Sequence, residues 1–585
     1  MLILAGNKRV ILKKVQMMFV AALFWLSGQS SPVQCADNVY CKPLGILDPF
    51  WRCSAALGPF LESGQALLEI PDYILSGSGD FPYKKRPYPM EVPFAEHLSL
   101  VRILGGYNDG SDKGAPDPAV RARDLAWRDA DGKIHYRMEL LKPRLQPYLD
   151  NGYTNLTIVL DNVPWCFPEH PAAEGLGQKS PPRDPQEWHD FIKAVCEEMV
   201  RIMGYETADS LRFRVGTENN GVGRFSGTHE EFILHYDATA AAVKSVFPDA
   251  KIGPFNIGGA GVRGNEKANV RPFDLAAHCL RETNTFTGKI GAPFDWIAFS
   301  RYYLPGIDLE ANARGCGEIW DEFERRVPQL KGVSREIHEF GVAPFGETKK
   351  DAFVSEECGA LGAAATAQMM FRLRETGIAR LWHWGMADKF RARDNKLYSL
   401  FTGHAWLLSV LENAAGGESF LLEPVSESSS GTKFIGLASV KSDGAILIFS
   451  AYNKDTAIHT SETVRFRIPK ETMNLSENQL SYVVLNRDTA VHDQIRRDFE
   501  SADLLTDRFK VRPDRLGGVR EMGKGRPAEI LAGDKLPEYY KVWERSLTLK
   551  PLDPGIGTLT ARPEYYEFTL NLAPPEVLVI SESRR

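Results

Sequence analysis

Cysteine is scarce in this chain: eight residues in 585, none of them in CxxC spacing. That argues against a structural zinc site and against a small disulfide-stapled scaffold. An excess of one charge is also missing. Lysine and arginine number 70 against 76 aspartate and glutamate, a net charge of −6, which disfavours nucleic acid or an anionic membrane surface as the main partner. The apolar run Val15–Leu26 is too short for a comfortable membrane span. No internal repeat or low-complexity tract is evident, and no motif calls for a metal or a cofactor.

What is present is ordinary in bulk and informative in order. Hydrophobic residues make up 43% and charged residues 25%, the values of a globular protein long enough for a large domain and a smaller one. Aromatics reach 10%, including 11 tryptophans, which suits a sugar-binding cleft and equally a big core. At the N-terminus, Lys8, Arg9, Lys13 and Lys14 precede the apolar run, and small and polar residues follow to Ala36. Residues 1–36 therefore read as a signal peptide, and the mature chain as secreted or periplasmic, without stable membrane insertion. Beyond it, Cys41 and Cys53 lie near enough in sequence to pair in an oxidising compartment.

From His97 the chain alternates short apolar runs with amphipathic segments. Leu98–Leu104 reads as a first strand, Leu156–Leu160 as a second, and Leu211–Val215 as another. Between the last two, Trp188, Ile192, Val195, Met199 and Met203 recur at helical spacing. Thr228 is placed to cap a helix that Pro248 stops. This β-then-α rhythm predicts an α/β fold, a (β/α)8 TIM barrel over 91–402. Residues 403–585 carry β-rich runs between Ser, Asp, Asn and Gly turns, the profile of an accessory C-terminal antiparallel β-sandwich. Residues 503–549, rich in charge, proline and glycine, read as a surface insertion, and 37–90 as an N-terminal segment packing on the sandwich.

Two strand-like runs end on glutamate: LRFRVGTENN at Glu218 and SREIHEFG at Glu339. In a barrel of alternating strands and helices, strand C-terminal ends open onto one face, where catalytic groups collect. Two carboxylates meeting there are the minimal apparatus for cleaving a glycosidic bond. A retaining enzyme needs one as acid and then base and the other as nucleophile, roughly 5–5.5 Å apart. A single glutamate of this kind is more often a solvated surface group. The pair carries the reading.

The runs WHDFIKAVCEEMVRIMGYETADSLRFRVGTENN and FILHYDATAAAVKSVFPDAKIGPFNIGG, followed by FDWIAFSRYY, IHEFG, ARLWHWGMADKF and VVLNRDTAVHDQIRRDF, resemble glycoside hydrolase family 39 of clan A. That family holds β-xylosidases, α-iduronidases and related enzymes. The resemblance extends from His97 to Phe499. It implies that Glu218, after strand four, is the acid/base and Glu339, after strand seven, the nucleophile, with a carbohydrate substrate and no cofactor. It also marks two departures. Where the family has Asn-Glu-Pro, this chain has Thr217-Glu218-Asn219; where it has His-x-Tyr, this chain has Ser300-Arg301-Tyr302.

Around the pair, the expected substrate contacts are Arg102, Trp165, Thr217, Asn219, Asn220, Arg301, Tyr302 and Trp384. Arg102 resembles an arginine that supports the nucleophile in the clan, with a structural salt bridge as the competing reading. Trp165 and Trp384, at strand ends, are candidate sugar platforms or core residues. Asp161 and Asn162 are weaker candidates. The rival functions are an endo-acting polysaccharide hydrolase and a non-catalytic glycan-binding protein on a decayed barrel. Sequence does not separate them, and it leaves the oligomeric state open.

Overall fold

A computed structural model describes residues 40–54, apart from 49, and 98–583 with gaps, the longest at 108–117, 259–267, 343–352 and 511–518. The leader-like 1–36 lies outside these residues. So does the side chain of Cys53, which leaves the expected Cys41–Cys53 pairing outside them as well. Among the described residues no helix is long and apolar enough to cross a membrane.

Eight short parallel strands organise the larger part. They are β1 (Trp51–Ser54), β2 (in two pieces, Leu98–Ser99 and Val101–Arg102), β3 (Thr157–Leu160), β4 (Arg212–Val215), β5 (Lys251–Pro254), β6 (Trp296–Tyr303), β7 (Ser334–Val342) and β8 (Arg380–His383). β3 pairs with β2 and β4, and β4 with β5. β7 pairs with β6 and β8, and β8 with β1, which also pairs with β2. Between β5 and β6 a parallel bridge joins Ile257 to Phe299. Strands buried on both faces lose polar alternation; β3 and β4 are buried at every position.

The helices between strands follow their sequence signals closely. Asp184 caps Pro185–Met203 by accepting the Gln186 and Glu187 amides, and Trp188, Phe191, Ile192, Val195, Cys196 and Met199 form the buried stripe. Thr228 and Glu231 make a reciprocal capping box at His229–Val246. That helix stops two residues before Pro248, where the missing amide forbids continuation.

The C-terminal part is sheet-rich. Seven antiparallel strands form one sheet, three more (Glu462–Pro469, Tyr565–Leu572 and Gly557–Ala561) a second. They share a separate apolar core in which Phe449 meets Phe466 at 4.7 Å between ring centroids.

Two expectations change here. The N-terminal segment does not simply pack on the C-terminal sheets: Cys41–Ile46 pairs with Glu418–Leu422 there, but Trp51–Ser54 stands between β8 and β2 in the parallel set. The strand count therefore begins before Leu98, and Thr157–Leu160 is third. Nor is 503–549 only a surface insertion. Gly525–Ser546 is a helix that buries Ala528, Ala532, Leu536, Tyr539 and Trp543. Its Pro527 falls in the first turn, where no intrahelical amide bond is lost.

Candidate active site

Arginine alternates with apolar residues along β4, and the alternation sends both arginines to the enclosed side of the strands. Arg212 donates to both oxygens of Glu336 on β7, at 2.7 and 2.9 Å, and its guanidinium lies over Trp296 at 4.3 Å. Arg214 donates to Thr217 Oγ1 at 2.7 Å and reaches His338 Nδ1 at 3.4 Å. An arginine only donates, so that ring nitrogen accepts and Nε2–H donates to Glu336 at 2.8 Å. The His338 imidazole is neutral, pushed down to about 4 by burial. Burial would raise Glu336, but Arg212 and the bonds from His338 and Ser334 hold it at about 2.

A bulge in β7 sets the second glutamate. Against β6, Ile337 pairs with Phe299 but Glu339 pairs with Ser300, so His338 is an extra residue. Ile337 and Phe340, of opposite parity, therefore both enter the main apolar core, where Phe340 meets Tyr303 at 5.2 Å. Glu339 is turned to the enclosed side with His338 and Glu336. Without the bulge it would share the face of Ile337.

The first glutamate stands just past β4. Gly216 has φ +86°, and a Cβ there would come within 1.9 Å of Asn219 Oδ1. Glu218 itself has φ +50°, a left-handed conformation that costs roughly 1–3 kcal/mol in a non-glycine residue. Its amide donates to the Asn256 carbonyl at 3.0 Å. Its side chain fills the space beside Gly258, where a Cβ would come within 2.7 Å of the carboxyl carbon.

Strand β6 supplies a hydroxyl to each carboxylate. Ser300 Oγ donates to Glu218 Oε1 at 2.5 Å, and Tyr302 Oη donates to Glu339 Oε2 at 3.0 Å. Glu218 Oε2 faces Arg224 Nη2 at 3.4 Å. Glu339 is 4% exposed, and its Oε1 is buried with no hydrogen-bond partner among the described residues. Burial first, and then the charge of Glu218, push the Glu339 carboxyl up to about 7.

Several expected contacts are engaged elsewhere. Arg301, between Ser300 and Tyr302, points by strand alternation away from the glutamates and bonds Asn312 on the helix Leu309–Arg326. Thr217 donates to Asp161 and accepts from Arg102 at 3.2 Å and Arg214 at 2.7 Å, so its hydroxyl braces two arginines. Arg102 also pairs with Asp161 at 3.1 Å. Asn220 clamps Gly258 with two bonds, at 3.0 and 2.8 Å.

Trp165 is 5% exposed, donates to the Tyr107 carbonyl at 2.8 Å and carries Arg121 over its ring. Of the two readings of Trp165, sugar platform and core residue, that burial fits the core residue. Asn219, Asp161, Gln178 and Arg224 line a cavity of mixed polar and apolar character beside the Glu218 loop. Trp384 lies outside the described residues. Asn256, Arg214 and Arg224 were missed in the sequence. Asn256 sits in the GPFNIGG run, two residues beyond β5, and nothing local distinguishes it from a turn asparagine. No group of three or more His, Cys, Asp or Glu among the described residues is arranged to hold a metal ion.

Residues 172–404, which include both glutamates and the β6 hydroxyls, match the sequence profile described as Glycosyl hydrolases family 39. Over these residues the chain is similar to glycoside hydrolase family 39. Among curated proteins it is similar to an alpha-1,4-L-rhamnosidase of Formosa agariphila, 24% identical over 52% of this chain and 60% of that one. It is also similar to the alpha-L-iduronidase of Mus musculus, 22% identical over 57% of this chain and 46% of that one. The chain thus spans less than two thirds of the length of either relative. Among solved structures, a monomeric beta-xylosidase from Caulobacter crescentus CB15 shares the fold of this chain, with a TM-score of 0.59 at 16% identity, over 93% of this chain and 98% of that one.

Proposed function

We propose that the chain is a retaining glycoside hydrolase built on a closed (β/α)8 barrel with an accessory β-sandwich. The Leu98–Ser99 piece of β2 pairs with β1 and the Val101–Arg102 piece with β3, which supports a ring of eight parallel strands with the ends of β4 and β7 at one mouth. The observation that carries the function is the pair of glutamates at that mouth, each held by a hydroxyl from β6.

Glu339 attacks the anomeric carbon and forms an ester bond as the glycosidic C–O bond breaks. Glu218 gives its proton to the departing oxygen. Water then attacks the same carbon, returns a proton to Glu218 and releases Glu339. The unpartnered Glu339 Oε1 suits a group waiting for the sugar. Burial and the charge of Glu218 raise Glu339, and the active form is the one in which Glu339 is the carboxylate and Glu218 carries the proton.

The relatives' names make β-D-xylosides, α-L-rhamnosides and α-L-iduronides the first probes. A 4-nitrophenyl or 4-methylumbelliferyl panel of these should show turnover of at least one, and Glu218→Gln and Glu339→Ala should each lower it at least about 10³-fold. The matching 2-deoxy-2-fluoro glycoside, or its 5-fluoro counterpart for rhamnose, should label Glu339 in peptide mass spectra. Near-normal turnover in both variants would overturn the assignment. Export remains part of the proposal, tested by N-terminal sequencing of the mature protein.

A further inference from the structure

The Glu218 carboxylate has two unlike oxygens. Oε1 accepts a 2.5 Å bond from Ser300, short enough to be strong, while Oε2 has Arg224 at 3.4 Å, long for a charge-assisted bond. Behind Ser300 stands Asn256, which is fully buried. Its Nδ2 donates to Ser300 Oγ at 2.8 Å, and its main-chain oxygen takes the Glu218 amide at 3.0 Å. One residue thus grips the glutamate at both ends, directly at the backbone and through Ser300 at the carboxylate.

The hydrogen bonds have a fixed direction. An amide nitrogen can only donate, so Ser300 accepts from Asn256 and its single proton points to Glu218 Oε1. Oε1 is then an acceptor, and a proton on Glu218 has to sit on Oε2. The segment carrying Asn256 is itself locked to β6: Ile257 N donates to the Ala298 carbonyl at 2.9 Å, and Ser300 N to the Ile257 carbonyl at 2.9 Å. This rigidity is what a left-handed glutamate requires, since its backbone conformation is not self-supporting.

We propose that Asn256, acting through Ser300, is a positioning residue that keeps the transferable proton of Glu218 on Oε2. The proposal rests on the acid/base reading of Glu218. When the proton leaves, the Ser300 bond also stabilises the carboxylate that remains, because a hydrogen bond to the ionised form favours it.

Reversing the relay tests it. Asn256→Asp keeps the shape but replaces the donor by an acceptor, so Ser300 must turn its proton away from Glu218. Ser300→Ala removes the link, and Ser300→Thr retains the hydroxyl. For the sugar turned over in the panel above, kcat/KM is measured with phenyl and 2,4-dinitrophenyl glycosides. The phenyl leaving group needs a proton and the dinitrophenyl group does not. Asn256→Asp and Ser300→Ala should lower kcat/KM for the phenyl glycoside by about 10–100-fold. For the dinitrophenyl glycoside they should change it by less than about threefold, and Ser300→Thr should recover most of the loss.

Equal losses on both substrates, or no loss, in variants that melt cooperatively would overturn the relay. Ser300→Ala decides alone if Asn256→Asp fails to fold. Glu218→Gln separates the two levels of the argument. If it shows the leaving-group split while the Ser300 and Asn256 variants do not, the relay falls and the acid/base reading stands. If it turns over the phenyl glycoside normally, the acid/base reading itself falls.

Discussion

Glu336 and Glu339 lie three residues apart on β7, both buried, and their surroundings drive them in opposite directions. At the lower level, Glu336 meets Arg212, His338 and Ser334 and is held at about 2. At the upper level, Glu339 has one tyrosine hydroxyl, an unpartnered oxygen and a second carboxylate nearby, and is pushed up to about 7. The lower carboxylate is neutralised and satisfied; the upper one is left wanting. A buried charge is tolerated when it is paired and hydrogen-bonded, so the lower level is structural. An under-satisfied group at the mouth stores a cost that only a ligand or a proton relieves.

The largest effect that breaks this comparison is on the lower level. Glu336→Gln leaves the Arg212 guanidinium buried without its counter-charge, beneath Trp296 and Trp382. Removing one partner of such a pair costs about 3–5 kcal/mol. Denaturant unfolding should show that loss, while turnover per folded molecule falls far less than in Glu339→Ala. A variant as stable as the parent would mean that water already reaches Arg212.

A smaller effect separates the two levels by pH. The folded pKa of Glu339 is raised, so its contribution to stability is fully present below its unfolded value near 4.5 and is lost as pH rises toward 7. The folded pKa of Glu336 is lowered, so its contribution is present above about 4.5 and is lost as pH falls toward 2. Glu339→Gln removes the first dependence only. Relative to the parent it should gain stability on the order of 1–3 kcal/mol between pH 4.5 and 7, with no such gain at pH 4.5. Melting temperatures taken across that range check it, and parallel curves for the two proteins would contradict the raised value.

Much of this was legible in the sequence for a simple reason: helix caps and apolar stripes are local. Thr228 and the Trp188–Met199 stripe announced their helices, and strand ends announced Glu218 and Glu339. What stayed hidden was non-local or off-period. Trp51–Ser54 is too short to show a pattern, and its partners lie hundreds of residues away at Leu381–His383. The β7 bulge shifts parity by one at His338, which no period-2 reading detects. Asn256 acquires its meaning only from Ser300 and Glu218, 44 and 38 residues distant. Thr217 stands where the family has the Asn of Asn-Glu-Pro, and its bonds to two arginines and Asp161 come from residues that no local pattern links to it.

Arg301 gives the smallest and cleanest check, because it is flanked on both sides by residues that reach the glutamates. Strand alternation alone turns it outward, to the Asn312 side chain and carbonyl. Arg301→Ala should therefore cost only the net value of those bonds, roughly 0.5–1.5 kcal/mol of stability. Its kcat/KM on the aryl glycoside should stay within about twofold of the parent, a barrier change of about 0.4 kcal/mol. Stability and rate would then separate at one residue along β6: Ser300 and Tyr302 act on the upper level, and Arg301 acts on the helix behind it. A tenfold fall in kcat/KM with unchanged melting would instead mean that the guanidinium swings to the mouth when sugar binds, and that alternation in the free protein misplaces it.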